Sequence, residues 1–261
     1  MAQTQKLIHY QKMSATTYKV VQGDVIAERG VSLTVNGKVW LTFMCTPIDL
    51  EALALGFLYN EELIDSLADI ADVHVCKQED NVDVWLNKTI EEPRQWRRTS
   101  GCTGGFTSTN PKDQIVQFTN GAAVSAGKIL ELITELSDNQ ALYKTSGGVH
   151  SSALSNGKDI LLTVEDIGRH NTLDKIAGLM LQKGINPDRR ILLTTGRISS
   201  EMLQKASRIG ASMVISRTAP TSLSIEYAEA WGITLIGYAR RAQFNVYTHP
   251  QRIVESQREK P

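Results

Sequence analysis

Residues 191–216 read ILLTTGRISSEMLQKASRIGASMVIS, and this stretch decides the fold class. Its two ends, 191–195 and 213–216, are short runs of aliphatic and β-branched residues that are typical of buried strands. Between them, the spacing of apolar residues predicts a helix over 199–209, which ends at Gly210. A strand, a helix and a second strand in direct succession predict a layered α/β domain.

The same alternation extends in both directions from this stretch. Further strands are predicted over 149–154, 160–164, 234–238 and 244–247, and further helices over 125–137, 171–182 and 222–231. We therefore predict an α/β core with a mixed sheet over residues 121–261.

Residues 1–120 follow a different pattern, which indicates a β-rich N-terminal part. Short segments with alternating character predict strands over 17–21, 24–29, 31–35, 39–45, 70–76 and 82–86. Thr46 is predicted to cap a helix that has Pro47 at its first position. Residues 1–15 are expected to form a loosely held arm.

Composition excludes several classes of protein. The chain has 261 residues and a formal net charge of zero, so no bulk electrostatic attraction to nucleic acid or membrane is implied. No apolar run approaches the roughly 20 residues that a membrane span needs, and no signal-peptide core is visible, so we expect a cytoplasmic protein. The motifs of zinc proteases, zinc deaminases, P-loop enzymes and Rossmann dinucleotide sites are missing from the sequence.

Cys102 is the first candidate functional residue. It lies in a Gly-, Thr- and Ser-rich loop over 91–110 that follows Arg97 and Arg98, whose charges would favour a thiolate. Cys102 is therefore a candidate nucleophile or sulfur carrier, and the alternative is a chance cysteine in a surface loop. The other two cysteines, Cys45 and Cys76, lie in strand-like runs and are predicted to be buried packing residues.

Arginines follow three predicted strands and indicate a second candidate site. Arg169, Arg197 and Arg217 each lie in a strand-to-helix turn, at the carboxyl end of a strand. Arginine side chains and the free N–H groups of helix starts suit an anion, and a nucleotide is the expected ligand. The alternative is ordinary helix-start chemistry, in which Ser199 and Ser222 serve only as N-caps.

Five motifs in a fixed order then indicate a family. They are TSGGVH at 145–150, VEDIGRHN at 164–171 with LDK at 173–175, TTGRISSEM at 194–202, SRTAPT at 216–221 and FNVYTHP at 244–250. Together they resemble the formate dehydrogenase accessory protein family, FdhD/NarQ, over nearly the whole chain.

The resemblance implies a sulfurtransferase. Members take sulfur from a cysteine desulfurase as a persulfide and pass it to the molybdenum cofactor, in its bis(molybdopterin guanine dinucleotide) form, which formate dehydrogenase receives. It also implies a core similar to the cytidine deaminase fold without zinc, and a homodimer. Cys102 corresponds to the persulfide carrier, and the cofactor-binding segment corresponds to Phe244, Asn245, Val246, Tyr247, Thr248 and His249.

One departure from the family pattern leaves two hypotheses open. Many members have two loop cysteines, whereas this loop reads Cys102-Thr-Gly-Gly105, with glycine at the second cysteine position. Either Cys102 transfers sulfur alone, or the protein binds and delivers the cofactor as a chaperone without transfer chemistry. A nucleotide hydrolase that uses Glu165 or Asp166 as its base is a weaker alternative, because the zinc ligands of such enzymes are missing from the sequence.

Overall fold

The computed structural model describes residues 4–93, 97–98, 106–107, 118–119, 122–187 and 189–254. The elements before residue 110 are β1 (Gln5–Met13), β2 (Tyr18–Ile26), β3 (Arg29–Val35), β4 (Lys38–Cys45), α1 (Leu50–Asn60), β5 (Ile70–Val75), β6 (Asn81–Leu86), β7 (Arg97–Arg98) and β8 (Phe106–Thr107).

The elements after residue 120 build most of the α/β core. They are β9 (Val124–Ser125), α2 (Ala126–Asp138), α3 (Ala141–Ser146), β10 (His150–Ser155), β11 (Ile160–Asp166), α4 (Arg169–Gln182), β12 (Ile191–Thr194), α5 (Ser200–Ile209), β13 (Met213–Ser216), α6 (Ser222–Trp231), β14 (Thr234–Arg240), β15 (Gln243–Val246) and β16 (Ile253–Val254).

A six-stranded mixed sheet forms the centre of the core, in the order β11-β10-β12-β13-β14-β15. Strands β12, β13 and β14 are parallel, whereas β10 and β15 run antiparallel to their neighbours. Successive side chains of a strand point to opposite faces. Leu192 and Val214 accordingly pack under α4, α5 and α6, while Leu193 and Ile215 belong to a second apolar cluster that includes residues of α2. The predicted mixed α/β class is confirmed.

A second sheet, in the order β4-β3-β6-β5, packs against α1 and is joined to the core through it. Helix α1 lies directly on α4, where Gly56 and Gly178 let the two backbones approach closely. A methyl group on Gly56 would meet the carbonyl oxygen of Asp174 at 1.7 Å. The predicted boundary near residue 120 and the likeness to the cytidine deaminase fold stay predictions.

The prediction for Thr46 and Pro47 is wrong. Helix α1 begins at Leu50, and its N-cap is Asp49 in a left-handed conformation. Thr46 is fully buried and is used elsewhere, because its backbone N–H donates to Asp166 and its hydroxyl accepts from the N–H of Ile167.

Three smaller expectations also need correction. Within the expected arm, the described residues from 5 to 13 form a regular strand, because β1 pairs with β2 along its whole length. Helix α6 is capped by Thr221 rather than Ser222, in a reciprocal capping box with Ser224. Cys45 is buried as predicted, whereas Cys76 is only half-buried, at the end of β5.

None of the described helices has both the length and the apolar character required to cross a membrane.

Candidate functional site

The three arginine-bearing turns lie along one edge of the six-stranded sheet. Strands β11 and β12 are both antiparallel to β10, and β12 is parallel to β13, so β11, β12 and β13 share one direction. Their carboxyl ends therefore meet at one edge, which we call the carboxyl edge, and His150 at the start of β10 lies there too. In open α/β sheets, ligands bind at this kind of edge.

Asp166 holds the first turn, between β11 and α4. Its side chain is fully buried and accepts hydrogen bonds from the N–H of Gly168 and the amide of Asn171, both at 2.8 Å. Lys175, also fully buried, forms an ion pair with Asp166 at 2.7 Å and donates to the carbonyl of Thr46. A buried carboxylate with this many donors fixes the backbone around it, so this turn is rigidly placed.

The second and third turns are tied to each other. The hydroxyl of Ser216 donates to the carbonyl of Gly196 at 2.7 Å, and the N–H of Ile198 donates to the carbonyl of Ala219 at 3.2 Å. The N–H of Tyr238, near the end of β14, donates to Thr218 at 3.0 Å. The second turn, the third turn and the end of β14 therefore form one connected hydrogen-bonded surface.

The three predicted arginines differ in exposure along this edge. Arg169, the first residue of α4, is buried, and Gly196 of the second turn lies against it: a methyl group there would meet the Cβ of Arg169 at 2.9 Å. Arg197 is exposed and Arg217 is half-buried. Arg197 and Arg217 are thus the two predicted arginines that the structure leaves accessible to an anion.

His150 and His170 each belong to one of the family motifs, and both lie within electrostatic reach of this edge. Burial lowers the pKa of His170 well below its usual value, and the charges of Arg169 and Lys205 lower it further. Burial and Arg169 lower the pKa of His150 as well. The lowered pKa values favour the neutral form of both imidazoles near pH 7.

Arg217 also lines a cavity of about 740 Å³ beside α2. Arg240 and Arg241, at the hairpin between β14 and β15, line the same cavity, as do Glu131 and Glu135 of α2. Sequence reasoning missed Arg240 and Arg241, since they follow a strand that leads into a hairpin rather than into a helix.

The predicted cofactor-binding segment runs across the sheet. Strand β15 pairs with β14 in antiparallel register, so Phe244 and Asn245 lie near the carboxyl edge, with Asn245 opposite Gly237. Phe244 and Val246 pack on the apolar cluster near α2. Tyr247 packs on the other face of the sheet, against the apolar cluster under α4, α5 and α6.

The end of that segment lies at the other edge of the sheet. The hydroxyl of Thr248 donates to the carbonyl of Ile233 at 2.6 Å, before the start of β14. The ring of His249 lies 3.2 Å from the carbonyl oxygen of Glu229. We call this the amino edge, and the structure thus separates Thr248 and His249 from the three arginine turns.

Cys102 lies outside the described residues, in the segment 99–105 that connects β7 to β8. The backbones of Arg97 and Arg98 pair with Thr107 and Phe106 in antiparallel register. The side chains of these two arginines are not described, so their predicted effect on the Cys102 thiol stays a prediction.

Cys45 and Cys76 both have environments that the structure describes. Burial, helped by the charge of Asp166, raises the pKa of Cys45 to about 12, which leaves almost no thiolate at neutral pH. The Sγ of Cys76 lies 2.9 Å from a carboxylate oxygen of Asp80. Cys45 is therefore unsuited to act as a nucleophile.

The model of the FdhD/NarQ family matches residues 26–254. A protein of Staphylococcus aureus strain MRSA252 named sulfur carrier protein FdhD is 34% identical over 245 residues, which cover 89% of this chain and 90% of that protein. Its counterpart in strain RF122 is 33% identical over the same lengths.

A solved structure agrees with these sequence matches. It is a crystal structure of a candidate formate dehydrogenase accessory protein from Desulfotalea psychrophila, with a TM-score of 0.83 and 27% identity, and the match covers 96% of this chain and all of that chain. The family match over most of the residues and the similarity to these relatives show that the chain belongs to the FdhD/NarQ family.

Proposed function

We propose that this protein is a sulfur carrier for the maturation of formate dehydrogenase. In this proposal Cys102 takes persulfide sulfur from a cysteine desulfurase in the cytoplasm. The protein then delivers the sulfur to the molybdenum cofactor, in its bis(molybdopterin guanine dinucleotide) form, before formate dehydrogenase receives it. The observation that carries the proposal is the near full-length similarity to proteins named sulfur carrier protein FdhD.

The first step is a thiol exchange at sulfur. The Cys102 thiolate attacks the outer sulfur of the desulfurase persulfide, a new S–S bond forms, and the desulfurase cysteine leaves as a thiolate. The step needs no external electrons. The high pKa of Cys45 and its burial support Cys102 as the carrier rather than Cys45.

Release of the sulfur as sulfide takes two electrons. In a loop with two cysteines, the second thiol supplies them when it forms a disulfide with the first. Residue 105 of this chain is glycine, so in our proposal an external thiol supplies the electrons and forms the disulfide with Cys102.

The cofactor enters this scheme as cargo, and its guanine nucleotide moieties carry several phosphates. The exposed Arg197 and the half-buried Arg217 support phosphate binding at the carboxyl edge, together with the helix starts of α5 and α6. Arg169 is buried, and its positive charge adds to the attraction of this edge for phosphate. Phe244 and Asn245 lie closest to these turns, and we assign them to the same site.

A cofactor chaperone without transfer chemistry is the second candidate. Gly105, in place of a second loop cysteine, favours it, because the loop has no internal thiol to release the sulfur. This candidate keeps the same arginine turns and differs only at Cys102.

Formate dehydrogenase activity in cells that lack their own family member separates the two candidates. Cells that express Cys102→Ala should lose the activity if the protein carries sulfur and keep it if the protein is a chaperone. Cys76→Ala is the matched control, since it removes a half-buried thiol outside the loop and should leave the activity unchanged.

A further inference from the structure

The cavity beside α2 collects arginines from two connections of the six-stranded sheet. Arg217, directly after β13, and Arg240 and Arg241, at the hairpin between β14 and β15, line a volume of about 740 Å³. A volume of this size is typical of cavities that bind small molecules. Arg217 also belongs to the third turn, so the cavity continues the carboxyl edge at which we place phosphates.

The side chains of these three arginines are not used by the fold. None of them forms an ion pair or a hydrogen bond with another residue that the structure describes. Like charges in one cavity repel each other, and an anion between them removes that repulsion. Guanidinium groups bind phosphate oxygens through paired hydrogen bonds, so three of them suit a ligand with more than one phosphate, such as a nucleoside diphosphate.

The hairpin that carries Arg240 and Arg241 has an unusual backbone. Arg240 pairs with Gln243, and the two residues between them, Arg241 and Ala242, have left-handed φ values of 53° and 62°. Asparagine and glycine are the common residues in such a turn, because a left-handed conformation disfavours other side chains. Backbone strain of this kind is concentrated at ligand sites, which supports a binding role for the arginine in this turn.

Tyr238 orients Arg240. Its ring is 39% exposed, and the guanidinium of Arg240 lies 5.8 Å from the ring centroid. The backbone of Tyr238 is itself left-handed, and its N–H donates to the carbonyl of Thr218, the residue after Arg217. The cation–π contact restricts Arg240 without using its N–H donors, so these donors stay available for a ligand.

A carboxylate in the same cavity has no partner in the described part of the chain. Glu131 and Glu135 lie one turn apart on α2, and both line the cavity. Glu131 is exposed and is paired with Lys128 at 3.2 Å. Glu135 is half-buried, and its side chain makes no ion pair or hydrogen bond with another described residue. A free carboxylate accepts hydrogen bonds, so the ligand is expected to carry donors as well as phosphates.

Guanine is the base that meets this requirement. Its N1–H and its N2 amino group are adjacent donors on one edge, and the two oxygens of a carboxylate accept both. Adenine has an acceptor, N1, at the corresponding edge, and a carboxylate oxygen repels it. A cavity with arginines and a free carboxylate therefore suits a guanine nucleotide and disfavours an adenine nucleotide.

We propose that Glu135 selects guanine over adenine by accepting the N1–H and N2–H donors of the base, while Arg217, Arg240 and Arg241 bind the phosphates of the same nucleotide. Because the guanine nucleotide is part of the proposed cargo, this assignment rests on the proposed function. It adds the residue that reads the base, and it places the nucleoside on the α2 side of the sheet.

Isothermal titration calorimetry of the full chain with GDP, ADP and IDP, which lacks the 2-amino group, tests the role of Glu135. The wild type should bind GDP about tenfold more tightly than ADP, with IDP between them. Glu135→Gln should weaken GDP binding about tenfold and leave ADP binding unchanged or slightly tighter. If Glu135 contributed only charge, its loss beside three arginines would instead strengthen the binding of both nucleotides.

Two further variants separate base selection from phosphate binding. Glu131→Gln is the matched control, because it removes the same charge from the same helix, and it should keep the preference of the wild type for GDP over ADP. Arg240→Ala should raise the dissociation constants for GDP and ADP by the same factor, about tenfold, since it acts on the phosphates. Thermal unfolding of each variant shows that it is folded.

Equal binding of GDP and ADP by the wild type would overturn the proposal. A Glu135→Gln variant that keeps the preference for GDP, or an Arg240→Ala variant that binds as the wild type does, would also overturn it. Persulfide formation on Cys102, measured by intact mass on the same preparations, reports on the proposed sulfur carrier separately. A protein that gains sulfur but does not distinguish the two nucleotides would therefore leave the carrier in place and remove only the role of Glu135.

Discussion

The two edges of the six-stranded sheet use arginine in opposite ways. At the amino edge, Arg252 is buried and donates to the carbonyl oxygens of Ser212, Gly232 and Phe118 and to the hydroxyl of Thr234. At the carboxyl edge, Arg197 is exposed, and its side chain makes no hydrogen bond or ion pair with another described residue. An arginine whose donors are already satisfied supports the fold, whereas an accessible one remains available for a ligand.

Removal of the Arg252 guanidinium from the amino edge should have the largest effect on stability. Arg252→Met should lower the free energy of unfolding by about 3 kcal/mol, because several buried acceptors lose a charged donor at once. Urea unfolding at pH 7 measures the change. Arg197→Met is the matched substitution, and it should change the stability by no more than about 0.5 kcal/mol. Equal losses for the two variants would remove the distinction between the edges.

The next effect concerns the pH dependence of the carboxyl edge. The pKa of His170 is lowered in the folded state, so the unfolded chain binds a proton more readily as the pH falls below about 6.5. Stability should therefore be lost on acidification, by up to about 1.4 kcal/mol per pH unit for this one group. The charged groups that lower this pKa are Arg169 and Lys205.

His170→Gln tests this prediction through a slope rather than through an absolute stability. The variant should show a shallower loss of unfolding free energy between pH 7 and pH 5 than the wild type, whatever its stability at pH 7. Identical slopes for the two proteins would mean that His170 titrates normally in the folded state.

A third prediction concerns nucleotide binding at the carboxyl edge. Arg197→Ala should raise the dissociation constant for GDP about tenfold, which corresponds to about 1.4 kcal/mol, since a charge-assisted hydrogen bond to phosphate is lost. Arg189→Ala is the control, because Arg189 is also exposed but precedes β12 at the amino edge. Isothermal titration calorimetry measures both, and an equal weakening in the two variants would contradict a site at the carboxyl edge.

The smallest effect tests how the third turn is built. Thr221→Ala should cost about 1 kcal/mol of stability, because Thr221 accepts the N–H of Ser224 as the cap of α6. Ser222→Ala should be close to neutral, since Ser222 is already inside the helix. The reverse order in thermal unfolding would place the cap where the sequence alone suggested it.

The sequence predicted most of the core, and the reason is local. Strands β12 and β13 are continuous aliphatic runs, and α5 has a serine before it and Gly210 after it, so each element is specified by neighbouring residues. The meeting of the three arginine turns followed from a general property of parallel strands, which needs no detailed coordinates.

What the sequence could not predict depends on distant contacts. Thr46 looked like a helix cap, but its partner is Asp166, which lies 120 residues further along the chain. The position of Thr248 and His249 at the amino edge follows from the direction of β15, which no local pattern determines. No local pattern marks Arg252 as a structural residue, and only the fold brings the carbonyl oxygens of Phe118 and Gly232 around it.

Intact mass spectrometry shows whether Cys102 carries sulfur. The wild type and Cys102→Ala are each incubated with a cysteine desulfurase and cysteine. We predict that the wild type alone gains the mass of one sulfur atom and that a reductant removes it. No gain in the wild type, with a desulfurase that is active on another acceptor, would contradict the carrier and leave the chaperone.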